Sequence, residues 1–325
     1  MKPIYIVALS LFVLFSCNSN GNKKSAYRQK SVGNINFLRI IITDELWADT
    51  VGDEIRKYFA APTDGLPQDE PLYSMNQMNP SDFSGFMRSN RLFIHTTLGK
   101  TESFKIAKDP YARPQLGVIV VAQTKERLIE LITENQEKII EAFHKTEIKE
   151  RQRRTLISPK KIDSLKERFG LSIKIPSAYR IASKSDNFYW LRKDLKNAGS
   201  TNVLIYEVPL QSITNDSLVL SEIIKIRDEI GGGYLPVEDD ANFITDQAFS
   251  TSLYHSEIDG KFAYETKGIW EVDGAFMAGP FINFAVYDKE NNRYLILEGF
   301  TYAPSVEKRN LQFELESIIR SAKID

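Results

Sequence analysis

Apolar residues run almost unbroken from Ile4 to Phe15, after which the chain turns polar and small over 18–30 (NSNGNKKSAYRQK). A run of roughly 12 residues falls short of the ~20 that a permanent membrane-spanning helix needs. With Lys2 ahead of it and small residues behind, it predicts a secretory signal over 1–16. The next pattern is globular. NFLRIII over 36–42 is apolar on both faces apart from Arg39, as an inner strand should be. Thr43 then opens a helix in which Trp47, Val51, Ile55 and Phe59 recur at four-residue steps, with Asp44 and Glu45 at its positive end. Residues 63–80, polar and rich in proline, read as loop. Strands are predicted over 90–98 and 116–122, with a proline-bracketed loop over 108–114 between them. The longest helix runs from Lys125 to Arg154, entered through Thr124, with Leu128, Ile132, Asn135, Ile139 and Phe143 on its inner stripe. Its tail over 147–154 is almost wholly charged, and Lys and Arg there suit the negative end of the helix dipole.

The second half opens with a short helix over 162–169 and an alternating strand over 171–176 that proline stops. Strands follow over 187–192 and 203–208. Leu218 to Ile230 is a helix with Val219, Ile223, Ile226 and Ile230 on one face. Gly231, Gly232 and Gly233 after it read as a helix cap at positive φ. A phosphate loop needs the opposite order, strand, glycines, then helix. Strands over 262–272, 281–287 and 294–301 come next, the last two joined by a hairpin signal at 289–292. A terminal helix follows Pro304, with Leu311, Leu315, Ile318 and Ala322 facing inward. Both halves end as strand then helix, which raises the question of a duplication. The elements predict an α+β fold: two α/β sandwich-like domains of mostly antiparallel sheet packed with helices, after a cleaved signal peptide. The expected divisions are 1–16 signal, 17–33 tether, 34–156 the N-terminal domain and 157–325 the C-terminal domain.

Composition narrows the class. At 42% hydrophobic and 26% charged the 325-residue chain is ordinary globular protein, long enough for two cores. A net charge of −1 argues against a general nucleic-acid binder. Charge is nonetheless uneven. Residues 145–168 hold nine Lys and Arg against four acids, and 222–273 hold twelve acids against four bases, which can guide docking between partners or between the two domains.

Candidate chemistry is sparse. His95, His144 and His255 are far apart and share no spacing that sets two ligands on one helical face, so no metal set is assigned. Glu238, Asp239, Asp240 and Asp246 gather carboxylates in one stretch that reads as a solvated acidic loop. No serine sits in a nucleophile elbow, and no catalytic residue is assigned. In NFYWLR over 187–192, Phe188 and Trp190 share one strand face and Tyr189 takes the other. Exposed rings of this kind serve as carbohydrate or peptide platforms. The plainer expectation is one buried face and a partly exposed Tyr189.

Cys17 is the only cysteine, so no internal disulfide is available. Its setting, Leu-Phe-Ser-Cys over 14–17, resembles the bacterial lipobox, in which cleavage after Ser16 leaves Cys17 to be acylated as the first mature residue. Several acyl chains on one residue meet the two-signal requirement for stable anchoring. Taken whole, Cys17 behind its signal, ELWADTVGDEIRKYF over 45–59, the turn at Pro71-Leu72-Tyr73 and YLILEGFTYAPSVEKR over 294–309 resemble the Gram-negative lipoprotein family catalogued as domain of unknown function 4837. That resemblance implies a lipoprotein and no particular activity. GLSIKIPSAYRI over 170–181 looks loosely like the small sandwich domains of the photosystem-P-subunit and Mog1 type. The expectation is an envelope lipoprotein, in the outer membrane facing the periplasm, with no cofactor beyond the covalent lipid on Cys17. The expected role is a non-enzymatic binding or assembly module of unknown ligand, with the membrane and an envelope protein as expected partners. An envelope-polymer hydrolase with converging carboxylates and a small-ligand or lipid carrier are the alternatives.

Overall fold

The computed structural model describes residues 28–196, 199–214, 217–237 and 241–325. The signal, Ser16, Cys17 and most of the tether lie outside the described residues, as do Glu238, Asp239 and Asp240. Gln29–Lys30 already pairs with Ala112–Arg113, and Val32 N donates to Ser89 O, so the chain is docked before the expected end of the tether at residue 33.

In the first half, β1 (Phe37–Ile41) is the inner strand that its two apolar faces require. The helix expected from Thr43 is two helices, α1 (Asp44–Trp47) and α2 (Thr50–Phe59). Asp49 breaks it, accepting from Thr50 N at 2.7 Å and starting the second helix as a fresh N-cap. The elbow depends on Gly52, where a Cβ would lie 2.0 Å from Trp47 O. The predicted loop over 63–80 contains β2 (Ser74–Met78), and the stretch before the next inner strand holds β4 (Ser103–Lys108) after β3 (Leu92–Leu98). With β5 (Leu116–Ala122) the order is β2-β1-β3-β5-β4. β2 and β4 are the sheet edges, and a strand half bathed in water carries no continuous apolar run. Mostly antiparallel pairing describes the molecule as a whole. This sheet differs, because the chain returns to the same end through α1 and α2 after β1, through two short helical turns after β2 and through β4 after β3, so that β2, β1, β3 and β5 pair in parallel. The helices α2 and α3 (Lys125–Thr155) cover one face, closing a core of Leu38, Ile40, Ile55, Ile94, Val118, Ile132 and Phe143. Thr124 caps α3 by accepting from Arg127 N at 3.2 Å.

The second half is a three-layer unit around an eight-stranded sheet, antiparallel throughout. After α4 (Asp163–Phe169) come β6 (Arg180–Ser185), β7 (Phe188–Leu195), β8 (Gly199–Pro209), α5 (Val219–Ile226) and β9 (Phe243–Thr245). Then follow β10 (Ser252–Ile258), β11 (Lys261–Val272), β12 (Ala278–Asp288), β13 (Arg293–Tyr302) and α6 (Arg309–Ile319). The order is β6-β7-β8-β13-β12-β11-β9, with β10 also on β11. The helices α4 and α6 close one face with Leu165, Phe169, Leu315 and Ile318, and α5 closes the other with Val219, Ile223 and Ile226. A five-stranded, largely parallel sheet and an eight-stranded antiparallel one are not copies of each other, so the shared strand-then-helix endings are no sign of duplication.

The glycine run is not a left-handed cap. Past α5 the chain continues as a π turn over Arg227–Gly231 and a tight turn over Gly232–Tyr234, with φ of −60° at Gly231 and −62° at Gly232. Close approach explains two of the glycines, since a Cβ on Gly232 would meet Phe243 O at 2.4 Å and one on Gly231 would meet Tyr206 OH at 3.0 Å, whereas Gly233 faces open space. Tyr189 is also not the exposed ring. It is 5% exposed and edge-on to Phe169 of α4, while Phe188 is stacked on Tyr234, because β7 is covered on both faces and leaves Trp190 half-buried instead.

Candidate functional site

The charged tail of α3 is not a solvated helix end. Glu147 is fully buried and accepts from Asn36 N at 2.7 Å and from Arg91 through Nε and through Nη2, the latter at 3.0 Å. Arg91, itself buried, also donates to Gly33 O and Asn34 O. One turn on, Glu150 takes Arg153 and Arg154. The other side of the same tail meets α6: His144 Nε2 lies 3.1 Å from Glu316 Oε2, Arg151 pairs with Glu314, and Gln152 Nε2 donates to Ser317 O at 3.0 Å. Basic residues of the first half thus face acids of the second, but those acids, Glu314 and Glu316, lie on α6 and outside the acid-rich stretch 222–273, so this is not the docking that the charge asymmetry along the chain suggests.

The opposite end of α6 is held by the first half too. Its N-cap position, Lys308, has no side chain able to accept from the helix amides. Glu70 does it from the loop before β2, Oε1 accepting from Lys308 N at 2.7 Å and Oε2 from Arg309 N at 2.8 Å. A carboxylate there satisfies orphan donors and sits at the positive end of the dipole. Arg309 returns the link, donating to Pro71 O at 2.6 Å and to Ser74 Oγ at 3.0 Å. A further loop residue, Asp64, accepts from Tyr254 OH at 2.8 Å.

Between these clamps lies a cleft of about 400 Å³ whose walls come from both halves. Leu72, Tyr73, Ile140, Phe281, Ile282 and Phe313 make its apolar lining, and Asp64, His144, Lys267, Arg309 and Glu316 bring charge to it. Burial works to lower the Lys267 pKa, but the carboxylates of Glu316, Glu265 and Asp64 outweigh it and hold the ammonium above its ordinary value. Burial likewise works to raise the Glu316 carboxyl. His144, Arg320 and Lys267 overcome it and hold Glu316 well below the carboxylate range. Glu316 is therefore a fixed negative charge at the junction. The arrangement gives a preformed, mainly apolar seat with both signs of charge beside it, the ordinary make-up of a ligand cleft.

Of the residues singled out from sequence, the structure brings His144 to this junction and leaves the other two histidines elsewhere. His95 lies against Phe83 in the first half, where burial and then Arg88 lower its pKa, and His255 lies against Phe262 and Tyr264. Asp246 uses its carboxylate locally, accepting from Ala248 N at 2.8 Å. Among the described residues no group of three or more His, Cys, Asp or Glu is gathered as metal ligands, and no helix is long and apolar enough to cross a membrane. Sequence reasoning missed Glu70, Arg91 and Glu147. Only the run of alternating charge at the end of an otherwise amphipathic helix hinted at a second docking face.

A family model described as "Domain of unknown function (DUF4837)" matches residues 158–321. The chain belongs to the DUF4837 family. In this member the match runs over α4 to α6, and a second model, "Domain of unknown function (DUF8532)", matches residues 31–156. No curated protein matches the chain. Among solved structures the chain is similar to the Ran-binding protein Mog1p of Saccharomyces cerevisiae, at 8% identity over 47% of this chain and 89% of that one, TM-score 0.31. A single-residue mutant of protein Mog1 gives 7% identity over 47% and 90%, TM-score 0.31. A Bacteroides thetaiotaomicron structure gives 12% identity over 48% and 45%, TM-score 0.21. Likeness this slight carries no argument about partners.

Proposed function

We propose that the chain is a lipid-anchored lipoprotein of the cell envelope, in the outer membrane facing the periplasm, and a non-enzymatic binding or assembly module. Acylated Cys17 is its anchor, and the cleft between the two halves is its seat for an envelope protein partner. The anchor rests on the signal-like run over 1–16 and the Ser16–Cys17 junction. The observation that carries the binding role is the cleft itself, built from both halves and held by Glu70 at one end of α6 and by Arg151 and His144 along it. A preformed seat avoids the ordering cost of assembling one on contact. Against the hydrolase reading, Glu316 is held ionised by its cations and is a poor proton donor at neutral pH.

Two measurements test the parts separately. Radiolabelled palmitate should mark the wild-type chain and not Cys17→Ser, which should leave the membrane fraction; unchanged label and fractionation reject the anchor. Affinity capture from solubilised envelope should return a stoichiometric partner with the wild-type chain. Leu66→Arg, a substitution on the cleft wall, should lose it while melting within a few degrees of wild type. Capture unaffected by Leu66→Arg moves the binding surface away from the cleft.

A further inference from the structure

A second concavity, of about 490 Å³, opens in the second half on the sheet face that carries α5. Its lining is rich in aromatic rings: Trp190 and Tyr302, half-buried, offer ring surface to a ligand, and Phe243, Trp270 and Phe300, 2–5% exposed, form the floor. The rings are fixed relative to one another. Phe243 stacks on Trp270 at 4.9 Å, Phe300 meets Trp270 edge-on at 5.5 Å, and Trp270 Nε1 donates to Thr301 O at 3.2 Å. Trp190, half-buried on β7, donates through Nε1 to Asn202 Oδ1 at 2.9 Å, so its plane is fixed as well. Asn202 is 1% exposed and passes the chain on, Nδ2 donating to Ser200 Oγ at 3.0 Å. That leaves the Ser200 O–H to donate. Arg192 and Asp273 add a guanidinium donor and a carboxylate acceptor to the lining.

We infer that this pocket is a glycan site that takes a neutral pyranose-containing saccharide. The argument is one of matched chemistry. A pyranose has a ring face of C–H groups, which an indole or phenol ring covers at no cost in hydrogen bonds. Around its edge each hydroxyl both donates and accepts, so it needs donors and acceptors side by side. The pocket offers both, Ser200 and Arg192 to donate and Asp273 and the Ser200 oxygen to accept, around rings whose positions are already set. A purely apolar ligand would leave those polar groups unpaired, which costs the desolvation of each buried one. A quaternary ammonium would suit the rings and the Asp273 carboxylate, but it has no hydrogen-bonding group to pair with the Ser200 hydroxyl.

Two of the chain's three tryptophans, Trp190 and Trp270, line the pocket, so occupancy should change the intrinsic fluorescence. The full chain in detergent is titrated to millimolar concentration with maltotetraose, cellotetraose, chitotetraose and, as the cationic probe, choline. Saturable binding of at least one saccharide is expected, confirmed by calorimetry. Trp190→Ala should weaken it at least about tenfold, whereas Trp190→Phe, which keeps a ring, should stay within about threefold of wild type. Leu66→Arg, on the junction cleft, should bind the saccharide as wild type does, which separates this site from the proposed partner seat. Saturation by choline alone, no saturation by any saccharide, or Trp190→Ala binding as tightly as wild type while folded would each overturn the assignment.

Discussion

Arg91 and Glu147 are the buried ion pair on which the end of α3 rests, 2% and 0% exposed. Two charges taken out of water are costly together and far more costly apart, because the survivor has no counter-ion and no water. Glu147→Ala leaves the buried Arg91 guanidinium with Gly33 O and Asn34 O to accept from it and with Glu150, 3.8 Å from Nη1 and already shared with Arg153 and Arg154, as its remaining carboxylate, and leaves Asn36 N without its acceptor. The expected loss is about 3–5 kcal/mol in urea unfolding. Replacing both together, Arg91→Met with Glu147→Leu, should cost less than either single change, though not nothing, since the Asn36 amide stays unpaired. If the double variant is worse than both singles, the pair stabilises the fold in a way that desolvation does not describe.

At the scale of elements, α6 is a helix of one half capped by the other. Glu70→Ala removes an acceptor from the Lys308 and Arg309 amides at once, and a lost cap costs ~0.5–2 kcal/mol. Hydrogen exchange at those amides should quicken, while amides in the second half of α6 stay protected; uniform loss along the helix would mean that Glu70 holds the whole element. This dependence also marks the limit of what the sequence discloses. Inner strands such as β1 and β5, and the inner stripe of α3, are written in local periodicity because one environment acts on consecutive residues. The edge strands β2 and β4 were illegible, since Ser74 to Met78 is half exposed and reads as polar loop. The break at Asp49 looked like continuous helix because Trp47, Val51 and Ile55 keep a helical step across it. Gly231 and Gly232 misled for a further reason. Their cause is Tyr206 and Phe243, distant in sequence, and not the helix that they follow.

Across the whole molecule, both halves share one interface, and its charge is titratable. Glu316 is buried on α6, and its carboxylate is held down by His144 of the first half and by Arg320 and Lys267 of the second. A carboxyl whose folded pKa is depressed contributes stability that is fully present above its unfolded value, near 4.5, and is lost as pH falls from there towards the folded value. The loss arises because the unfolded chain takes up a proton that the folded contact with His144, Arg320 and Lys267 still excludes. None of this was legible, since Glu316, His144 and Arg320 lie outside the opposed stretches 145–168 and 222–273, and which acid meets which base is decided by how two separate sheets are set against each other. Melting followed from pH 7 down to pH 3 should show the wild-type chain losing stability steeply below about 4.5. Glu316→Gln, less stable at neutral pH, should follow a flatter curve over that interval, so that its gap to wild type narrows towards pH 3 without closing, because the folded carboxyl is still ionised there. Parallel curves for the two chains would show that acid acts elsewhere, and that the halves are held by Glu70 and Arg151 without help from the His144–Glu316 contact.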